Sequence, residues 1–168
     1  MPPKDRLLPS LLDRLTDGDP GSRAPESDRF TFDLPEYRAA VFRDIGWLLN
    51  TISPSRPEEI DGLEDVSRST LNYGMPALSG GVASGLDARL LERRMKEVIQ
   101  RFEPRLIADT VKVQVEIETD TMDHRALTFR VEGKLWAQPV PEQIYLRTKL
   151  DLETGHVQVA DFGTREPS

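Results

Sequence analysis

Apolar positions recur along this chain with two different periods, and the change from one to the other divides it. Tyr37, Val41, Ile45, Leu48 and Ile52 step by four, four, three and four, which predicts a helix over 36–51 with one apolar face. Pro35 stands at its start, where a helix tolerates proline, and Ser53-Pro54-Ser55-Arg56-Pro57 stops it. Leu91, Met95, Val98 and Phe102 repeat the same spacing. They predict a further helix, capped by Ser84 or Asp87 and ended at Glu103, because Pro104 disfavours the α conformation in the residue before it. Glu92 with Lys96 and Glu97 with Arg101 are expected as stabilising pairs four apart. Leu7, Leu8, Leu11, Leu12 and Leu15 predict a short amphipathic helix over 6–15, with Asp5 as cap and Pro9 in the first turn.

Beyond Glu103 the period becomes two. Val111, Val113, Val115 and Ile117 alternate with Lys112, Gln114, Glu116 and Glu118, the pattern of a strand with one wet face. Leu127, Phe129, Val131 and Leu135 continue it, then Ile144, Leu146, Leu150 and Leu152, then Val157 and Val159. A polar loop over 120–125, the prolines Pro139 and Pro141, and Thr154-Gly155 separate the strands. Gly133, in phase with the buried positions, suggests a bulge or a close backbone approach. The predicted fold is α+β: an antiparallel four-stranded β-meander packed against amphipathic helices, with a tethered N-terminal helix. The organisation reads as a docking helix over 1–16, a flexible linker over 17–35, a main domain over 36–162 and a frayed tail over 163–168. The acidic run from Glu58 to Asp65 reads as a solvated loop, and 69–78 is apolar without a period.

Composition narrows the function more than the fold. The 168 residues carry 29 acidic against 22 basic side chains, a net charge of -7, so the long-range field repels nucleic acid and anionic lipid. There is no cysteine, which removes disulfides, thiolate catalysis and Cys-based zinc sites. No apolar run has the length of a membrane span, and the N-terminal leucines are interrupted by polar residues unlike a signal peptide. The expectation is a cytoplasmic protein without cofactor or membrane insertion.

Few residues offer chemistry. The only histidines are His124 and His156, and neither sits in a metal-ligand spacing. Asp120, Asp123 and His124 cluster as hairpin-loop residues commonly do. Ser79-Gly80-Gly81-Val82-Ala83-Ser84-Gly85 is glycine-rich before a helix but lacks the Lys-Ser/Thr ending of a phosphate-binding loop. Glu103 with Asp109 would supply the two carboxylates of a glycosidase. A general acid must be protonated near neutral pH, however, and a cation such as Arg105 beside it opposes that. Glu103 and Arg105 are read instead as a structural pair, and Trp47, Leu48 and Tyr73 as core.

Four motifs in order also carry a resemblance. Leu11-Leu12-Asp13-Arg14-Leu15, Asp44-Ile45-Gly46-Trp47-Leu48-Leu49-Asn50-Thr51, Ser69-Thr70-Leu71-Asn72-Tyr73-Gly74-Met75-Pro76 and Phe102-Glu103-Pro104-Arg105-Leu106 together resemble the TssE family. These are baseplate subunits of bacterial type VI secretion systems, related to the small wedge protein of phage T4 baseplates and often labelled lysozyme-like. The resemblance implies a structural, non-enzymatic wedge protein that associates with TssF, TssG and TssK where the sheath of TssB and TssC begins. Partner strands would then extend the sheet at 111–118 or 156–160. It also implies that Glu103, Pro104 and Arg105 bind partners and hold the wedge together. The alternative is a peptidoglycan hydrolase. Family sequences often carry an acidic residue where this chain has Ala77.

Overall fold

The computed structural model describes residues 7–16, 32–55, 59–77, 88–116, 126–137 and 140–161. Expectations that fall on Asp5, the greater part of the linker, the glycine-rich segment with Ser84 and Asp87, the loop with Asp120, Asp123 and His124, and the tail lie outside the described residues. The chain is an α+β fold in which helices α1 (Leu11–Leu15), α2 (Leu34–Asn50), α3 (Glu64–Arg68) and α4 (Ala88–Phe102) precede strands β1 (Lys112–Glu116), β2 (Ala126–Leu135), β3 (Glu142–Asp151) and β4 (Val157–Asp161).

Helix α2 starts two residues earlier than its apolar spacing predicts, because Asp33 and Glu36 form a reciprocal cap at 2.9 and 3.0 Å that satisfies two of the free amides of the first turn. Tyr37, Val41, Ile45 and Leu48 are buried as expected, joined by Ala40 and Leu49. Ile52 is not: it lies past the helix end and is 70% exposed. The chain leaves the helix at Thr51, whose carbonyl accepts from Met75 at 2.7 Å, while Ser53 donates to Met75 at 2.8 Å. Gly74 permits this approach. It holds φ +121°, and a Cβ there would stand 2.4 Å from the Thr51 oxygen, so only glycine fits. Within the unassigned stretch 69–78, described through Ala77, the chain forms a 3-10 turn, Thr70–Asn72, followed by a bridge from Met75 to Ile52 just past α2.

Helix α4 buries Leu91, Met95, Val98 and Ile99. Its charged side chains do not pair as expected. Glu92 instead accepts from the Val115 amide of β1, Arg94 pairs with Glu97 at 3.3 Å, and Arg101 donates to the Ser67 carbonyl at 3.1 Å. Between Asp61 and Asp65 the acidic side chains are exposed, but Glu64 and Asp65 open α3 rather than continuing a loop.

At the N-terminus the helix is shorter than the leucine spacing predicts. Ser10, not Asp5, is its cap, in a capping box with Asp13, and α1 has 5 residues. Leu7, ahead of it, is buried at 8% exposure and forms an antiparallel bridge with Phe32. Leu8, Leu11, Leu12 and Leu15 face outward, exposed by 68, 71, 50 and 74%. One leucine before the helix therefore anchors the segment, not the helix face.

The sheet is antiparallel in the order β1-β2-β3-β4, with Val113 opposite Val131, Val131 opposite Leu146 and Leu150 opposite Val157. This register puts Phe129, Val131, Leu135, Ile144 and Leu146, all at most 1% exposed, on the face that α2 and α4 cover. Lys112, Gln114, Arg130 and Glu132 line the other face. Gly133 makes no bulge: it pairs regularly with Ile144, and a Cβ would meet Leu106 and Val111 at 3.7 Å, ordinary contact. The β3–β4 turn is held by Asp151, which accepts from the amides of Glu153 and Thr154, and by Gly155 at φ +72°.

Candidate functional site

Helix α4 ends where Glu103 donates its amide to the Ile99 carbonyl at 2.9 Å, and a turn closes when Leu106 donates to the Glu103 carbonyl at 3.2 Å. Pro104 lies inside that turn with its ring in solvent. The turn passes the chain to the sheet directly, since Trp136 donates to the Arg105 carbonyl at 2.8 Å and Ile107 to the Lys134 carbonyl at 2.9 Å. Glu103 and Arg105 are therefore placed by backbone bonds to both the helix and β2.

Within the turn Arg105 grips Glu103 as a fork. Nε donates to Oε1 at 2.7 Å, Nη2 to Oε2 at 2.6 Å, and the Arg105 amide to Oε1 at 3.1 Å. The same Nη2 reaches Asp44 Oδ2 on α2 at 2.6 Å. Asp44 Oδ1 in turn accepts from Arg43 at 2.9 and 2.7 Å, and Arg43 Nη1 donates to Asp13 of α1 at 2.6 Å. The result is a chain of alternating charge, Asp13, Arg43, Asp44, Arg105 and Glu103, running from the N-terminal helix to the start of the sheet. Arg43 also lies over the Trp47 ring, 4.8 Å from its centroid, which adds a cation–π contact.

Burial weakens the tendency of Arg105 to stay charged, but the bonds and charge of Glu103, then of Asp44, outweigh it and raise its pKa above the ordinary arginine value. Asp13 behaves alike with the sign reversed: burial pushes its carboxyl up, and the Arg43 and Ser10 bonds bring it net down. Tyr73 packs edge-on against Phe102, centroids 5.5 Å apart, and burial raises its hydroxyl pKa.

Both Glu103 oxygens are committed as acceptors, and the side chain is 4% exposed. A general acid needs a carboxyl oxygen free to meet substrate, and both Glu103 oxygens are engaged by Arg105 instead. Asp109, the second carboxylate of the glycosidase reading, lies exposed in the 3-10 turn Ala108–Thr110. The carboxylate brought to Glu103, across Arg105, is Asp44. His156 is exposed ahead of β4. Among the described residues no group of His, Asp and Glu is placed to hold a metal, and no helix is long and apolar enough to cross a membrane.

Beside the clasp runs a groove of about 490 Å³, lined by the apolar Leu8, Pro9, Leu12, Trp47, Phe102 and Pro104 and by Asp44, Glu103 and Arg105 of the clasp itself. Trp47, expected in the core, is 48% exposed, while Leu48 is buried and Tyr73 half-buried against the core. Arg105 Nη1 is buried without a partner among the described residues.

Spacing within one turn exposes the Glu103–Arg105 pair to sequence reasoning. Asp44, Arg43 and Asp13 were missed as its partners because they lie on other elements. Asp44 was nevertheless inside a motif that carried the resemblance. No curated protein and no solved structure matches the chain. The model of the family described as baseplate wedge protein gp25 matches residues 35–140, from the first turn of α2 past the end of β2 and through Asp44, Glu103 and Arg105, and the chain belongs to that family of TssE and the phage T4 wedge protein.

Proposed function

We propose that this protein is a structural wedge subunit of a type VI secretion baseplate. In this reading it assembles in the cytoplasm, at the inner face of the inner membrane, with TssF, TssG and TssK, and helps to start the contractile sheath of TssB and TssC. One observation carries the reading: the Glu103-Pro104-Arg105 turn is spent on holding α4, α2 and the sheet together rather than on presenting a carboxylate. It does so in the wall of an apolar groove. Glu103 acts from inside, as the anchor that orients Arg105, and Pro104 with the exposed faces of Leu8, Leu12 and Trp47 supplies what a partner touches. Large apolar residues exposed together beside a rigid polar cluster suit a protein interface.

Reconstitution with TssF and TssG tests this. The wild type is expected to co-elute with them, and a Leu12→Asp, Trp47→Ala double variant is expected to lose at least about tenfold in affinity with its thermal unfolding unchanged, as for truncation of interface anchors. Wild-type affinity in that folded double variant would overturn the assignment of the groove. Muropeptide release from peptidoglycan by the purified chain, abolished by Glu103→Gln, would establish the hydrolase reading instead.

A further inference from the structure

A cleft of about 410 Å³ opens between α4 and the chain around α3 and the 3-10 turn. Asn72 and Arg101 line it, and the residues that follow them, Tyr73 and Phe102, line the groove beside the clasp. The two concavities are neighbours with different chemistry. Large apolar side chains dominate the groove, whereas carboxylates, arginines and one buried amide mark the cleft.

That amide belongs to Asn72, which is 4% exposed. Its backbone N–H donates to the Ser69 carbonyl at 2.9 Å, and its Nδ2 donates to the Val66 carbonyl at 2.6 Å. The second bond fixes the orientation of the side chain, because the flipped group would set one oxygen against another. Oδ1 is therefore the atom left buried with no donor, an arrangement that folded chains seldom tolerate without a use. Asn50, by contrast, spends both its oxygen and its nitrogen inside the chain, on Val157 and Gly46.

Three carboxylates, Asp61, Glu64 and Glu97, border the same cleft against two arginines, Arg94 and Arg101. Both arginines are engaged, Arg94 with Glu97 at 3.3 Å and Arg101 with the Ser67 carbonyl at 3.1 Å. The carboxylates of Asp61 and Glu64 are exposed and meet no cation. The cleft thus offers a buried acceptor in its wall and uncompensated negative charge at its rim.

We propose that this cleft receives an arginine side chain of a partner protein, which donates to Asn72 Oδ1 and is balanced by Asp61 and Glu64. A guanidinium carries five N–H donors in a rigid plane, so one group can meet an amide oxygen and a carboxylate together. It also sheds water more readily than the ammonium group of lysine, which matters beside a buried oxygen. A phosphate-bearing partner would instead bring like charge against Asp61 and Glu64.

Titration of the full isotope-labelled chain with Nα-acetyl-arginine methylamide, followed by NMR, tests the proposal. The side-chain amide signals of Asn72 should shift and saturate while those of Asn50 stay in place. Asp61→Asn combined with Glu64→Gln, both at exposed positions, should weaken binding about threefold or more. Asn72→Ala should weaken it about tenfold or more, the scale of a bond to a charged donor. The carboxylate pair carries the comparison if Asn72→Ala does not fold. The citrulline analogue, which keeps the shape of arginine and loses its charge, should bind more weakly, and so should the lysine analogue. Three results would overturn the proposal: Asn72 signals that arginine leaves unmoved, citrulline or lysine analogues that bind as tightly, or an affinity that the Asp61 and Glu64 substitutions do not change.

Discussion

The clasp at the end of α4 and the charged cluster on the open face of the sheet use the same groups in opposite ratio. In the clasp two carboxylates, Glu103 and Asp44, share one arginine, and the side chains are 4, 17 and 17% exposed. On the sheet two arginines, Arg130 and Arg147, share one carboxylate, Glu116, and the arginines are 39 and 38% exposed. Arg130 and Arg147 are direct cross-strand neighbours, so Glu116 relieves a repulsion the register creates. Arg105 likewise separates Glu103 from Asp44. Burial distinguishes them: water can replace a lost partner on the sheet but reaches the clasp poorly. Loss of one member therefore costs little in the first case and much in the second.

Arg105→Ala is the most severe test of that contrast. It leaves two carboxylates facing each other at a buried site and should cost about 3 to 5 kcal/mol, read as a fall in melting temperature of roughly 6 to 20 °C for a chain of this size. Arg105→Lys should recover only a minor part, because a single ammonium group cannot make the fork to both Glu103 oxygens and still reach Asp44. Full recovery by lysine would mean that charge alone, not the fork, holds the turn. Asp44→Asn comes next, at about 1.5 to 3 kcal/mol for loss of charge-assisted bonds. Combined with Arg43→Ala it should cost less than the sum of the two, since Arg43 and Asp44 act on the same contact. Additive losses in denaturant unfolding would show that the five-residue chain is not one unit.

The two clusters also differ in how much of them could be read from the sequence. The elements that carry both were legible: α2 and α4 from apolar steps of three and four, the strands from alternation, and the end of α4 from Pro104. Glu103 and Arg105 lie on one turn, so their pairing could be anticipated. Asp44 lies 61 residues from Arg105, and nothing in either local pattern connects them. The N-terminal leucines show a second limit. Periodicity establishes that they share a face but not what covers it, and α1 is held by Leu7 and Asp13 with that face outward. Ile52 shows a third. The spacing carries past Thr51, while the close approach allowed by Gly74 draws the backbone out of the helix one residue sooner.

On the sheet, Glu116→Gln should cost up to about 1 kcal/mol, and Arg147→Ala less, because removing one arginine also removes the repulsion between the pair. Added salt should narrow the difference between Glu116→Gln and the wild type and leave the Arg105→Ala deficit nearly unchanged, since screening acts on exposed charges first. A deficit for Arg147→Ala as large as that for Arg105→Ala would remove burial as the deciding factor.

The smallest expected effect lies in pH dependence, and its sign separates the carboxylates Glu116 and Asp13 from Arg105. Burial pushes the Glu116 carboxyl up, but the bonds from Arg130 and Arg147 outweigh this and hold it below its ordinary value of 4.5. Because the folded pKa is the lower one, the unfolded chain takes up the proton first as pH falls. The stabilisation is therefore complete above about 4.5 and is lost as pH drops through the folded value. Asp13, lowered from 3.8, should behave in the same way at slightly lower pH. The pKa of Arg105 is shifted the other way, above that of an ordinary arginine. Its contribution is complete below the unfolded pKa and declines only as pH rises through the folded one, so it is constant across the neutral range. Denaturant unfolding of the wild type and Glu116→Gln between neutral pH and pH 3 should give stabilities that converge below about 4.5, as protonation removes from the wild type what the substitution has already removed. Parallel curves over that interval would mean that Glu116 gains nothing from its two arginines, leaving the buried clasp as the one cluster of the two that stabilises the fold.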